Sequence, residues 1–258
     1  MDDMGRYASH VTEMLMKRMA LSVVSAVILA AAAFSAGWLL HANRNKQGRL
    51  PLLGEVPDYT LTNQLGQAVS SASFHHKVRV VSFLFTYCRG YCPLIARNFM
   101  TLERVLEAGG MADQVQLITF NVDPEGTGPA QMKAFQQQYG WDPNNRHWQY
   151  LTGSPEEIHH IVTDVYHVYY KKIVDDGNDE VGAPQGTELN VVPEPVVSNK
   201  LADEAGVDYD IVHNDLIAIV DTRGRIRKIF GDADRVSDEQ MMDVIHQLLP
   251  EDKPKTSS

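Results

Sequence analysis

Apolar and polar positions follow three spacings along this chain, and each spacing predicts an element. Two continuous apolar, β-branched runs, "VRVVSFLF" (78–85) and "VQLITFNVD" (115–123), read as strands buried on both faces. "DLIAIVD" (215–221) reads the same way, and "TRG" then turns the chain into a hairpin partner, "RIRKIF". Shorter alternating stretches predict a hairpin over 59–70 around Gly66, a short strand in "WQYLTG" and another in "VYYKKI". Helical spacing appears in "LIARNFMTLERVLEAGG", where Leu94, Phe99, Leu102 and Leu106 recur, Pro93 fits the first turn and Gly109 the end. "GPAQMKAFQQQYG" is a second helix, opened by Pro129 and stopped by Gly140. Ser154 to Glu157 and Ser237 to Gln240 are capping boxes, one opening a helix that runs to about Tyr166, the other a helix that runs to about Leu249.

One apolar run is different in kind. Residues 19–40 contain no Asp, Glu, Lys or Arg, and the run is long enough to cross a bilayer core of roughly 30 Å as a helix. Lys17 and Arg18 precede it, Arg44, Lys46 and Arg49 follow it, and Trp38 stands at an interfacial position. We read residues 1–18 as a cytoplasmic tail and 19–40 as a retained transmembrane anchor rather than a cleaved signal peptide. Residues 41–56 are then a linker, 57–250 a folded domain and 251–258 a solvated tail. Basic residues are nearly balanced at the two ends of the run, so they do not set its orientation.

Within the domain, residues 174–209 hold Pro, Gly, Asn and many acids with little periodicity, and read as a long acidic insertion. The chain of 258 residues has a formal net charge of −10 and no basic stripe, which argues against nucleic acid as a partner. Its 2 cysteines are too few for a disulfide framework, and both lie in one decapeptide, "FTYCRGYCPL". Strands alternating with helices early, and a hairpin plus helix late, describe an α/β domain with a mixed sheet. A cysteine pair that leaves a buried strand and enters a helix is a thioredoxin-like arrangement.

Cys88 and Cys92 are four positions apart at a helix start, so one face can hold both. That spacing allows a disulfide or two thiolates on one metal ion, and a structural staple closing so short a loop would constrain little of the unfolded chain. The helix N-terminus, with Arg89 between the thiols, should make both reactive. A metal held by two thiolates calls for a third soft or borderline donor. Of 10 histidines, His75-His76 and His159-His160 have neighbours that point apart, and His147, His167 and His246 lack companions. His213, in "DYDIVHNDLIAIVD", stands just before an apolar strand whose entry should lie beside the cysteine loop.

"PDYTLTNQLGQAVS", "VVSFLFTYCRGYCPL", "ITFNVDPE", "YHVYYKKI", "VHNDLIAIVDTRGRI" and "FGDAD", in that order behind a single anchor, resemble the Sco/SenC family of membrane-anchored copper chaperones for cytochrome c oxidase. The resemblance implies copper ligation by Cys88, Cys92 and His213, with Asp123 as an acidic residue near the site. It implies delivery of copper to the copper-site subunit of a respiratory oxidase or a related cuproenzyme, with other periplasmic copper chaperones or thiol reductants as further partners. The expected location is the bacterial inner membrane, with the C-terminal domain in the periplasm. The chain departs from the family at Arg89-Gly90-Tyr91, where relatives carry Pro and then an acidic residue. A guanidinium there favours thiolates over cations, so a thiol–disulfide oxidoreductase, with Cys88 attacking and Cys92 resolving, stands as the alternative. A peroxiredoxin-like peroxidase is a third reading, and it has no use for His213. The insertion reads as a solvated loop, a cover over the site or a recognition element.

Overall fold

A computed structural model describes residues 50–174 and 199–249 of the chain. The expected anchor at 19–40 and most of the acidic insertion lie outside the described residues. Among the described residues, no helix is long and apolar enough to cross a membrane.

The strands are β1 (Gly54–Glu55), β2 (Thr60–Asn63), β3 (Ala68–Ser70), β4 (Val78–Leu84), β5 (Val115–Asn121), β6 (Trp148–Thr152), β7 (Tyr170–Val174), β8 (Tyr209–His213), β9 (Leu216–Val220) and β10 (Arg225–Gly231). The helices are α1 (Cys92–Ala108), α2 (Pro129–Gln138), α3 (Pro155–His159), α4 (Lys200–Ala205) and α5 (Asp238–Leu248). Eight strands form one mixed sheet in the order β1-β10-β9-β4-β5-β6-β2-β3. β7 and β8 pair only with each other, as a separate antiparallel ribbon.

The middle of the sheet follows from the apolar runs. Every residue of β4, β5 and β9 is buried, so these strands have no solvated side, as their continuous apolar runs require. β4 pairs in parallel with β5 and antiparallel with β9. The carboxyl ends of β4 and β5 therefore meet the amino end of β9 at one edge, where Ser82 of β4 faces Ile217 of β9. The polar groups buried inside this layer are satisfied: Ser82 and Thr119 share a hydrogen bond of 2.9 Å, and Trp148 Nε1 donates to Thr119 Oγ1.

α1 buries Cys92, Ile95, Ala96, Phe99, Leu102 and Leu106, a single helical stripe. Ser154 and Ser237 cap α3 and α5 as their sequences predict, each accepting from the backbone N–H three residues on. The helix opened by Ser154 is more irregular than its sequence suggests, because after His159 the chain widens into a π-helical turn over His160–Val165.

Two corrections bear on the site. The predicted strand in "VYYKKI" exists but belongs to the ribbon with β8, so His213 enters from outside the main sheet. The last part of the expected insertion is ordered: Asn199 caps α4, and Gly206, at φ 59°, ends it in the left-handed conformation.

Candidate metal centre

The cysteine loop leaves the carboxyl end of β4. Phe85, Thr86, Tyr87 and Cys88 are all buried, and Cys88 N–H donates to Phe85 C=O at 3.1 Å to make the turn. Only Cys92 lies in the helix, as its first residue; Cys88 sits ahead of it. The expectation that both thiols occupy one helical turn therefore fails, and with it the expectation that both are activated alike.

The two thiols are free and hydrogen-bonded to each other. The Cys92 thiol donates to Cys88, and this is the largest influence holding the Cys88 thiol below its usual range. Burial opposes it, while the backbone N–H groups of Cys92 and Gly90 also point at Cys88 Sγ, the latter at 3.2 Å. The Cys92 thiol is pushed well above its usual range, first by complete burial and then by its role as donor to Cys88. The two thiols therefore titrate as a coupled pair, with Cys88 the readier to ionise.

Arg89 is not what lowers the thiol. Its guanidinium turns outward and pairs with Asp203 of α4 at 2.8 Å, with both side chains about half exposed. The carboxylates whose charge is felt at the pair are Asp210, at Cys88, and Asp215, at Cys92, each a minor influence that raises the thiol, and the sequence pointed to neither. Asp123 is buried at the end of β5, but its carboxylate accepts from the Tyr209 hydroxyl at 2.6 Å and from Gly126 N–H at 3.2 Å. It reaches the site by holding β8. Gly126 makes that contact possible, since a Cβ there would collide with both the Tyr209 hydroxyl and the Asp123 carboxylate.

His213 ends β8 with its side chain only 4% exposed. Its Nε2 lies 3.6 Å from Cys92 Sγ, and its Nδ1 lies 3.2 Å from the carbonyl of Asn214. A carbonyl can only accept, so Nδ1 carries the proton and Nε2 presents a lone pair to the thiols. Burial holds the imidazole below its usual pKa and keeps it neutral. The structure thus brings together Cys88, Cys92 and His213, as the sequence led us to expect. Among the described residues no three His, Cys, Asp or Glu side chains are gathered tightly enough to hold an ion as they stand. The donors form a line of contacts, Cys88 to Cys92 to His213, and closing it on an ion requires loss of the thiol proton. Two soft sulfurs and a neutral imidazole nitrogen suit copper in its lower oxidation state.

Among the described residues, the other histidines form no metal-binding cluster. His160 pairs with Asp164 at 2.9 Å, His159 contacts the Tyr170 hydroxyl, and His76 occupies a left-handed turn.

The pattern of the SCO1/SenC family matches residues 52–186. The chain belongs to the SCO1/SenC family. The matched span contains Cys88, Cys92 and Asp123 and stops before His213, so the third donor rests on the geometry above. A SCO1 homologue of Bacillus subtilis (strain 168) is 35% identical over 132 residues, covering 51% of this chain and 65% of the relative. The mitochondrial SCO2 homologue of Mus musculus is 31% identical over 113 residues, covering 44% of this chain and 42% of the relative. The chain thus spans between about two fifths and just under two thirds of these relatives. In three dimensions it resembles a SCO1/SenC family lipoprotein from Bacillus anthracis str. Ames, with a TM-score of 0.58 at 22% identity over 78% of this chain and 98% of the other. It also resembles Bradyrhizobium japonicum ScoI, a structure with copper bound, with a TM-score of 0.53 at 27% identity over 76% of this chain and 99% of the other. These likenesses give the domain its thioredoxin-like α/β class.

Proposed function

We propose that this SCO1/SenC protein carries copper on Cys88, Cys92 and His213 and delivers it to the copper-site subunit of a respiratory cytochrome c oxidase or a related cuproenzyme. One observation carries the reading: a neutral, buried imidazole is held by its far nitrogen so that Nε2 faces the thiol pair at 3.6 Å. A histidine serving only as a strand end has no need of that orientation. Copper is cargo here, and release proceeds by ligand exchange with the thiolates of the acceptor. Cys88, the lower-pKa thiol and the one with residual exposure, is the ligand an acceptor reaches first. We place the domain outside the cytoplasm, on the bacterial inner membrane and anchored by residues 19–40. Reactive paired thiols with a redox partner belong in that compartment. A reporter fused after Ser258 that is active only in the cytoplasm would sink this placement.

The test is anaerobic titration of the reduced protein with Cu(I) and Cu(II) against competing chelators, for the parent and His213→Ala. The variant keeps two thiolates and retains Cu(I), which tolerates low coordination. It loses or reshapes the visible Cu(II)–thiolate absorption, because Cu(II) prefers more ligands with nitrogen among them. A variant that binds both copper states like the parent removes His213 from the ligand set.

The asymmetry of the thiols favours a second reading. A low-pKa Cys88 to attack and a protonated Cys92 to resolve are the parts of a thiol–disulfide reductase acting on the acceptor's cysteines. Catalytic reduction of a disulfide by the copper-free protein, with an added thiol reductant to re-reduce the resulting Cys88–Cys92 disulfide, and undiminished in His213→Ala, would move this reading to first place.

A further inference from the structure

We propose that Asn199 is a positioning residue for the cysteine loop, and that the returning arm of the acidic insertion is therefore part of the working site. The inference rests on Cys88 and Cys92 being the working pair, and it holds whether they bind copper or exchange disulfides. Asn199 is completely buried although it is polar and lies in a stretch of low periodicity. Its amide Nδ2 donates to the carbonyls of Thr86 and Cys88, at 3.0 Å each. Its Oδ1 accepts from the backbone N–H groups of Leu201 and Ala202, at 3.2 and 3.4 Å, and from Gln138 Nε2 at 3.3 Å. Only one orientation of the amide satisfies both sides, since carbonyls accept and backbone amides donate. The side chain thus caps α4 with its oxygen while gripping the loop with its nitrogen.

The grip is where it matters. Thr86 and Cys88 have buried carbonyls in a loop that belongs to neither strand nor helix, so these groups need partners supplied from elsewhere. Asn199 supplies one donor to both and so fixes the backbone on either side of Tyr87. Ten residues later the same arm enters β8 and ends at His213. The grip on Cys88 and the placement of the imidazole therefore belong to one continuous piece of chain. The Arg89–Asp203 pair lies in the same contact but is exposed and screened, so it contributes little.

Two substitutions separate the grip from the cap. Asp and Ser both cap helices about as well as Asn, but neither has a nitrogen to donate to the loop. Asn199→Asp keeps the shape and sets an oxygen against two carbonyls; Asn199→Ser leaves them unpartnered. We expect amide hydrogen exchange of a peptide spanning Thr86 to Tyr91 to speed at least tenfold in both full-length variants, with β4 and β5 unchanged. Cu(I) affinity, measured by chelator competition, should fall about tenfold as the loop loses preorganisation. Asp203→Asn should leave both quantities within twofold of the parent. If Asn199→Asp fails to fold, Asn199→Ser decides. Parent-like exchange in the loop overturns the proposal. A loop that loosens in a protein that never bound copper rejects the copper reading and leaves the positioning role standing.

Discussion

At the scale of single residues, Cys88 and Cys92 divide their labour through their different surroundings. Cys88 Sγ receives the Cys92 thiol and two backbone N–H groups, while Cys92 is sealed at 0% exposure. Brief treatment with iodoacetamide at neutral pH should therefore label Cys88 well ahead of Cys92, and peptide mass spectrometry reads the ratio. The Cys88 rate should rise with pH and level off below the ordinary thiol range, because its thiolate is already formed there. Equal labelling of the two cysteines would show that the thiol bond does not persist in solution. This asymmetry was not legible in the sequence. Spacing gave the pair, but the pKa difference depends on which cysteine starts the helix and which is buried, and Arg89 was a misleading neighbour. His213 was suggested by its place before an apolar strand and singled out as a ligand by the resemblance to the Sco/SenC family. Asn199, Tyr209, Asp210 and Asp215 went unseen because each acts through the folded path of the arm, which no local pattern encodes.

At the scale of elements, the chain was most readable where one local signal suffices. The buried strands β4, β5 and β9 announce themselves as β-branched runs, and Ser154 and Ser237 announce their helices. Reading failed where tertiary pairing decides, as for the ribbon of β7 and β8 and for α4. The hairpin of β9 and β10 offers a test of an element held by charge. Asp221 accepts from Arg225 Nε at 2.9 Å, Arg227 Nη1 at 3.0 Å, and the backbone N–H groups of Arg223 and Arg225. Burial alone would raise its carboxyl, but these bonds override it and hold the pKa below the usual value. A depressed carboxylate contributes stability at neutral pH, and that contribution fades as pH falls through the folded value. Asp221→Asn should lower stability by about 1–3 kcal/mol at pH 7, the cost of breaking charge-assisted bonds, and the deficit should shrink below pH about 4. Urea unfolding across pH checks both. A deficit independent of pH would assign the loss to packing instead.

At the scale of the molecule, the sequence gives the α/β class but not the strand order, because β4 pairs with β9 across more than half the domain's length. That long-range pairing is what makes a functional centre of residues far apart in the chain. β4 and β5 end, and β9 begins, at one edge of the sheet, so the Cys88 loop, Asp123 and the approach from His213 converge there. The eight-stranded sheet is thoroughly buried at its centre. The ribbon that carries His213 lies outside it and is tied to it by the Tyr209–Asp123 bond, while Lys172 Nζ, 3.6 Å above the Tyr209 ring, braces one strand of the ribbon against the other.

A ribbon of only two strands is marginal on its own. Cys92 and His213 are 121 positions apart, so an ion shared between them would act as a rivet through two layers of the protein. Cargo would then be felt as mechanical order. Loading Cu(I) should slow amide exchange in β7 and β8 far more than in β4 or β5, and a chelator should reverse the change. Exchange that slows at the amino end of α1 alone would mean that the rivet never reaches the ribbon. The empty and loaded carrier would differ most on the face formed by β7 and β8, which would allow an acceptor to tell a full carrier from a spent one by touch.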